Sequence, residues 1–461
     1  MPDIILLGAT GFNGRLIARY LASHPQRGRF SWAVAARSKN KLDQLVEGLS
    51  LPSDVGVLEF NADDKNNVEE VVKSARVIIN AVGPFALHGT PVVRACVRNA
   101  VNYVDLTGEV AWVHDIIKEF DYAAVQKGAI IVPCCGMDSV PSDLTAYLAN
   151  KTLKAALEQA GHIDFTGKGS SIAESLTAYQ RASRLSGGTI HTALSLFDGD
   201  MEKFIHSSRP YALSPVPGIP TPMFQTWYNL RIPGEKPLTG GYFVMRGINA
   251  AIVQRTFGLL EARAEVDELK QGALASHIMT PTRKQRYGPM FKYDEFLVTN
   301  STWQALVLSY GLALGALLLA YVKPIRMLAR KLVPSPGEGP SDEEMEKGYL
   351  IGTNLTTSAT NPPIHVKTSI IIRGSPGNLR TATMISESAL SLLLPPVSAN
   401  SEETTATYSA RSHLPPMGQR GGVLTPVTAF GDILMQRLID SGSFEFSSHV
   451  VGKEDAVLCS V

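Results

Sequence analysis

A glycine-punctuated turn separates a strand-length apolar run from a helical repeat at the head of this chain. Residues 4–7, IILL, lead into Gly8-Ala9-Thr10-Gly11-Phe12-Asn13-Gly14, after which Leu16, Ile17, Tyr20 and Leu21 recur at the spacing of one helix face. Strand, glycine turn and helix in that order begin a βαβ unit. Glycine lets the backbone reverse and approach a pyrophosphate, while the unpaired N–H groups of the following helix point at its charge. The same glycines in a purely structural tight turn are the alternative.

The rhythm continues. Runs at 4–7, 32–36, 55–60, 76–82, 102–106 and 129–133 are strand-like, and each is followed by a helix-length segment opening on Gly, Asn, Ser or Pro. Alternation of this kind predicts a doubly wound parallel sheet over residues 1–152, with its ligand crevice at the carboxyl ends of the strands. From 153 to 420 the pattern loosens into longer strands, Pro-rich turns such as 214–222 and a few helices, which predicts an α+β second domain. Residues 334–348, PSPGEGPSDEEMEKG, read as an exposed acidic loop. Residues 421–461 return to helix then strand, LTPVTAFGDILMQRLIDSG and FEFSSHVV, and are expected to pack back on the first domain.

Composition narrows the class. Lys plus Arg number 43 and Asp plus Glu 42, a net charge of +1, so no global field favours nucleic acid. Hydrophobic residues make up 44% and charged ones 18%, which excludes disorder for most of the chain and leaves apolar surface to place. Cys96, Cys134, Cys135 and Cys459 have no metal-ligand spacing, and a reducing compartment is expected. Met1-Pro2-Asp3 runs straight into the first strand, so no cleaved leader is expected.

The second strand ends in Ala35-Ala36-Arg37-Ser38, where an NAD enzyme would present an acid to the ribose hydroxyls. Arg37, Ser38 and Lys41 offer donors to a 2′-phosphate instead, which favours NADPH over NADH; an exposed basic helix start is the alternative. Small residues at Ala81, Val82, Gly83 and Pro84 close the fourth strand and permit close approach to the ribose and nicotinamide.

Together GATGFNG, AARSKNKL, INAVGPF, YVDLTGE, CGMDSVPSD and GGVLTPVTAFG resemble the saccharopine dehydrogenase-like oxidoreductase family, including its trans-acting enoyl reductases. The resemblance is dense over 4–145 and 421–451 and thin between. It implies a Rossmann domain binding a dinucleotide at Gly8, Gly11 and Gly14, with a substrate domain inserted before a C-terminal return. For the enoyl reductase branch it implies reduction of a carbon–carbon double bond in a polyketide or lipid-like intermediate made by a separate synthase. A non-catalytic dinucleotide-binding protein on membranes or lipid droplets is the competing class. A saccharopine-type role is least favoured, because Arg181, Arg184, Arg231 and Arg246 lie among apolar residues without an evident carboxylate clamp.

Reduction needs a proton source beside the hydride, and candidates stand at the ends of strands five and six. They are Tyr103, Asp105, Thr107 and Glu109 in YVDLTGE, and Asp138, Ser139 and Asp143 in CGMDSVPSD; catalytic roles fall first on Asp138, Ser139, Tyr103 and Asp105. Helix capping is the plain alternative for Ser139 and Asp143, and a core position for Tyr103. Ser186-Gly187-Gly188-Thr189 precedes another helical run, read first as a plain capped helix and alternatively as a helix start facing the substrate or nicotinamide. Cys134, Cys135, His88 and His191 read as structural or solvated.

Between Phe296 and Val322 there is no charged residue, and Ala305–Val322 reads ALVLSYGLALGALLLAYV, followed by Lys323, Arg326, Arg330 and Lys331. The length suffices for a bilayer. A single crossing would divide the N-terminal domain from its C-terminal return, so 303–333 is expected to dock as a hairpin-like or interfacial element on the cytoplasmic face of a membrane or on a lipid droplet. True single-pass spanning and a buried core or dimer helix are the alternatives.

Overall fold

The β-branched runs at the centre of the N-terminal region form strands buried on both faces, as parallel strands under crossover helices must be, while the edge strand Gly56–Glu59 is mostly exposed. The strands are β1 (Ile4–Leu7), β2 (Trp32–Ala36), β3 (Gly56–Glu59), β4 (Val77–Asn80), β5 (Asn102–Asp105) and β6 (Ile130–Val132). Between and after them run α1 (Phe12–Ala22), α2 (Lys39–Gly48), α3 (Lys65–Lys73), α4 (Phe85–Asn99), α5 (Val110–Lys127) and α6 (Val140–Gln159). The computed structural model describes residues 1–162, 171–182, 201–271, 281–332, 339–399 and 410–452.

The spatial order is β6-β5-β4-β1-β2-β3, all parallel, with Gly422–Val423 added beside β6 as a seventh strand. Alternate residues of β1 feed opposite layers: Ile4 and Leu6 join one apolar cluster, Ile5 and Leu7 the other. Chain order reverses between β1 and β4, and the crevice opens there at the strands' carboxyl ends. This is the doubly wound Rossmann sheet expected from the sequence.

A second seven-stranded sheet follows. Its strands are β7 (Ile172–Ala182), β8 (Tyr228–Leu230), β9 (Leu238–Tyr242), β10 (Tyr293–Val298), β11 (Tyr349–Ser358) and β12 (His365–Arg373). The last strand of the chain, Phe444–Val450, completes the order Phe444–Val450, β12, β11, β7, β10, β9, β8. Only β7 and β10 run parallel. The helices that matter here are α7 (Arg246–Gln271), α8 (Thr302–Tyr321), α9 (Lys323–Leu332), α10 (Asp342–Glu346), α11 (Leu379–Ser391), α12 (Pro426–Phe430) and α13 (Asp432–Asp440). Helix α6 joins the two halves: it starts beyond β6 and its body lies on β11, β12 and Phe444–Val450.

Two expectations need correction. FEFSSHVV does not pack on the first sheet; it pairs antiparallel with β12, where Phe444 is buried and Thr368 and Ser448 hydroxyls meet at 2.7 Å. Of the tail's strands, only Gly422–Val423 returns to the first sheet. Of the stretch 334–348, the described residues 339–348 are not simply an exposed acidic loop either. Ser341 and Glu344 form a capping box that starts α10, Met345 is buried, and Asp342 pairs with Arg19 of α1 at 3.0 Å. The reciprocal cap outweighs the acidic composition.

Helix α8 is long and apolar enough to cross a bilayer by length and composition, yet Ala305 and Ser309 are its only buried residues. The core-helix alternative therefore fails within this chain. Because β7 precedes α8 and pairs with β11 beyond it, the chain on both sides of the helix is one sheet.

Candidate functional site

The glycine turn is shaped by close backbone approach. Gly8 has φ +78°, and a Cβ there would lie 2.9 Å from the Ala81 carbonyl; a Cβ on Gly14 would lie 2.1 Å from Gly8 O. Gly11 N donates to Gly8 O at 3.0 Å and closes the turn. Helix α1 then begins at Gly11 with no side-chain cap and no acid in its first turn, so its leading N–H groups and positive dipole end remain for an anion. Asn13 Oδ1 is buried with no hydrogen-bond partner among the described residues. A dinucleotide fits this cradle: its pyrophosphate would take the N–H groups, and a hydroxyl would satisfy the orphaned acceptor.

Arg37 and Lys41 are exposed just past β2, and no acid stands there. The Ser38 side chain caps α2, accepting from Lys41 N at 3.4 Å, so its hydroxyl is partly engaged. At the end of β4, Asn80 accepts from Val82 N at 3.0 Å and donates to Tyr103 OH at 3.0 Å. The Gly83–Pro84 peptide is cis, and Glu109 receives Phe85 N and Ala86 N, each at 2.8 Å. Glu109 is thus the anion at the start of α4. Ala81, Val82 and Pro84 remain half-buried beside Gly8 and Gly83 is exposed, so the four line the crevice floor.

Tyr103 and Asp105 share a strand face, as their alternation predicts, but both are fully buried. Tyr103 OH donates to Asp105 Oδ2 at 2.9 Å, while Asp105 Oδ1 accepts from Thr107 N and Cys134 N at 2.9 and 3.0 Å. Burial lifts the Asp105 carboxyl to about 7, restrained by those donors. The pair braces β4, β5 and the loop after β6 and presents no accessible atom. Tyr103 and Asp105, expected as catalytic candidates, are thus placed inside the sheet and in a bracing network of hydrogen bonds.

The loop after β6 carries the other candidates. Two of its non-glycine residues hold positive φ, Cys134 at +62° and Ser139 at +132°, a strain that persists only where packing imposes it. Thr381 of α11 clamps the loop, accepting from Met137 N at 3.2 Å. Asp138 is half-buried; its Oδ2 lies 3.1 Å from where a Cβ on Gly108 would stand. Burial raises the Asp138 carboxyl to about 7, against the pull of the Arg181 guanidinium from β7. Arg181 is itself partly desolvated. Arg181, from β7 of the second sheet, is therefore near enough for its charge to act on Asp138.

Ser139 stands at the start of α6 but makes no side-chain cap; its buried Oγ points to Asn249 Oδ1 at 3.5 Å. Asp143 is a tie, held by Thr256 at 2.6 Å and Val427 N at 2.9 Å. Cys134 and Cys135 are buried with thiol pKa values pushed up by burial, which makes both inert as nucleophiles.

Sequence reasoning missed what lies behind Ser139. Asn249 of α7 donates to Glu295 Oε1 at 2.6 Å, and Glu295 Oε2 accepts from Ser142 and Tyr293, both at 2.8 Å. Burial lifts Glu295 to about 7. The available signal was the pair of adjacent acids, Asp294 and Glu295, within an otherwise apolar and aromatic strand, YDEFLV. Ser186-Gly187-Gly188-Thr189, Arg184 and His191 lie outside the described residues.

A parallel sheet with a glycine cradle at its switch point defines a dinucleotide-binding oxidoreductase domain. Residues 4–132 match the saccharopine dehydrogenase NADP binding domain. A Mycobacterium tuberculosis protein provisionally named as a trans-acting enoyl reductase is 31% identical over 95% of this chain and 96% of its own. The trans-acting enoyl reductase of Mycobacterium ulcerans is 29% identical over 95% of this chain and 96% of its own. Among solved structures, apo saccharopine dehydrogenase (L-Glu forming) from Saccharomyces cerevisiae is similar over 98% of this chain and 100% of its own, at 10% identity and a TM-score of 0.44. The chain belongs to the saccharopine dehydrogenase-like oxidoreductase family, in its trans-acting enoyl reductase branch.

Proposed function

We propose that the protein is an NADPH-dependent enoyl reductase that acts in trans on a lipid-like or polyketide intermediate at a membrane surface. The carrying observation is a half-buried acid, Asp138, in the loop at the carboxyl end of the same sheet that carries the glycine cradle, poised near neutrality. NADPH, when bound, supplies the hydride for the electrophilic carbon of an α,β-unsaturated carbonyl. Asp138 delivers the proton to the neighbouring carbon, and its half-exposure lets solvent restore it. The Arg181 charge favours the ionised carboxyl, while strained Ser139 and the Asn249–Glu295 pair fix the loop from behind.

Cofactor choice rests on Arg37 and Lys41. Arg37→Ala is expected to weaken NADPH binding by roughly tenfold, the loss of about one charge-assisted hydrogen bond. NADH binding should be unchanged, and fluorescence titration with each nucleotide checks it. Equal losses for both nucleotides would remove the 2′-phosphate assignment.

Attachment to a membrane or lipid droplet rests on the exposure of α8 and on the basic residues of α9. A single crossing would cut the sheet that joins β7 to β11, so α8 is read as embedded without translocating the chain beyond it. The double variant Leu314→Asp, Leu317→Asp should lose flotation with vesicles and keep its NADPH affinity. Unchanged flotation would end this reading.

A further inference from the structure

Helix α8 rests on β9 at its two buried residues, Ala305 and Ser309. Ala305 lies against Gly241, where a Cβ would meet its carbonyl at 2.5 Å, and Ser309 Oγ accepts from Tyr242 N at 2.8 Å. From Tyr310 onward no residue of α8 is buried, so the helix leaves the body of the protein at Ser309. At that same point Ser309 Oγ donates to Thr226 O at 2.8 Å. Thr226 belongs to a turn whose large side chains face outward: Met223 is 50% exposed, Phe224 42% and Trp227 43%. The turn is held firmly, since Arg246 donates to Met223 O at 3.0 Å and Pro222 O at 2.6 Å while pairing with Asp294.

We infer that the turn Met223–Trp227 is a second membrane-contact element, seated in the headgroup layer of an anionic bilayer beside the point where α8 enters it. The inference rests on the membrane attachment proposed above. Charge selects the partner: no acidic residue occurs from 296 to 337, whereas Lys323, Arg326, Arg330 and Lys331 follow the apolar helix. A Trp with a Phe and a Met at the level where an apolar helix departs is the composition of a membrane–water interface. Because the turn precedes edge strand β8, that edge of the second sheet lies nearest the lipid.

The chain's four tryptophans make the test direct, because Trp32 and Trp112 are buried at 1% and 3% exposure. In full-length Trp303→Phe protein, Trp227 is then the exposed reporter. Phosphatidylcholine–phosphatidylserine vesicles with brominated acyl chains should blue-shift and quench it, relative to the Trp227→Phe, Trp303→Phe baseline. A Leu314→Trp reporter in that baseline reads α8 separately. Quenching at position 314 with none at Trp227 would overturn the turn and leave attachment by α8 standing. No quenching at either position would overturn both.

Discussion

Gly14→Ala is expected to abolish measurable NADPH binding in a protein that still folds its second sheet. A methyl group at this position would sit 2.1 Å from Gly8 O and 2.8 Å from Ala9 Cα, both backbone atoms that cannot rotate away. Helix α1 would have to withdraw from the turn, taking its N–H groups out of line. It resists the shift, because its Tyr20 donates to Glu387 at 2.5 Å, and His24, just beyond its end, meets the same carboxylate at 2.9 Å. Losing two charge-assisted hydrogen bonds at about 1.5–3 kcal/mol each weakens binding by roughly 10²- to 10⁴-fold. Calorimetric titration checks the affinity and a melting curve checks the fold. Wild-type affinity in the variant would mean that the dinucleotide lies elsewhere.

Asp138→Asn should lower turnover by roughly 10²- to 10⁴-fold, the usual worth of a positioned general acid, with NADPH affinity unchanged. The pH dependence has a definite sign. A carboxyl raised to about 7 is protonated below that pH and ionised above it, so turnover should fall as pH rises through about 7. Asn cannot ionise, and the residual activity of the variant should lack that limb. Full activity in Asp138→Asn, or a wild-type rate that rises through the same range, would assign the proton to another group.

The first sheet was legible because its central strands are short, apolar and buried on both faces, and because each helix announces its start. The second was not. Its central pair, β7 and β11, joins Thr177 to Asn354 and Ser175 to Thr356 across the chain. Those four side chains are buried in mutual hydrogen bonds, which replace the apolar alternation that would mark a strand. The site divides the same way. Asp138 follows a readable strand into a readable helix, so its address was visible. Asn249 and Glu295 reach it only through tertiary pairing of α7 and β10, and no local pattern marks them. For Tyr103 and Asp105, alternation gave their shared face but carried no information on burial, and both lie fully buried. The reciprocal cap at Ser341 and Glu344 was present in the sequence, hidden by its acidic surroundings.

Turnover of an α,β-unsaturated thioester with stereospecifically deuterated NADPH, followed by mass spectrometry of the product, tests enoyl reduction most directly. The expected result is a saturated product carrying one deuterium at the β-carbon, formed by wild type and nearly lost in Asp138→Asn. Deuterium at a carbonyl carbon, or an untouched double bond despite tight NADPH binding, would contradict the account.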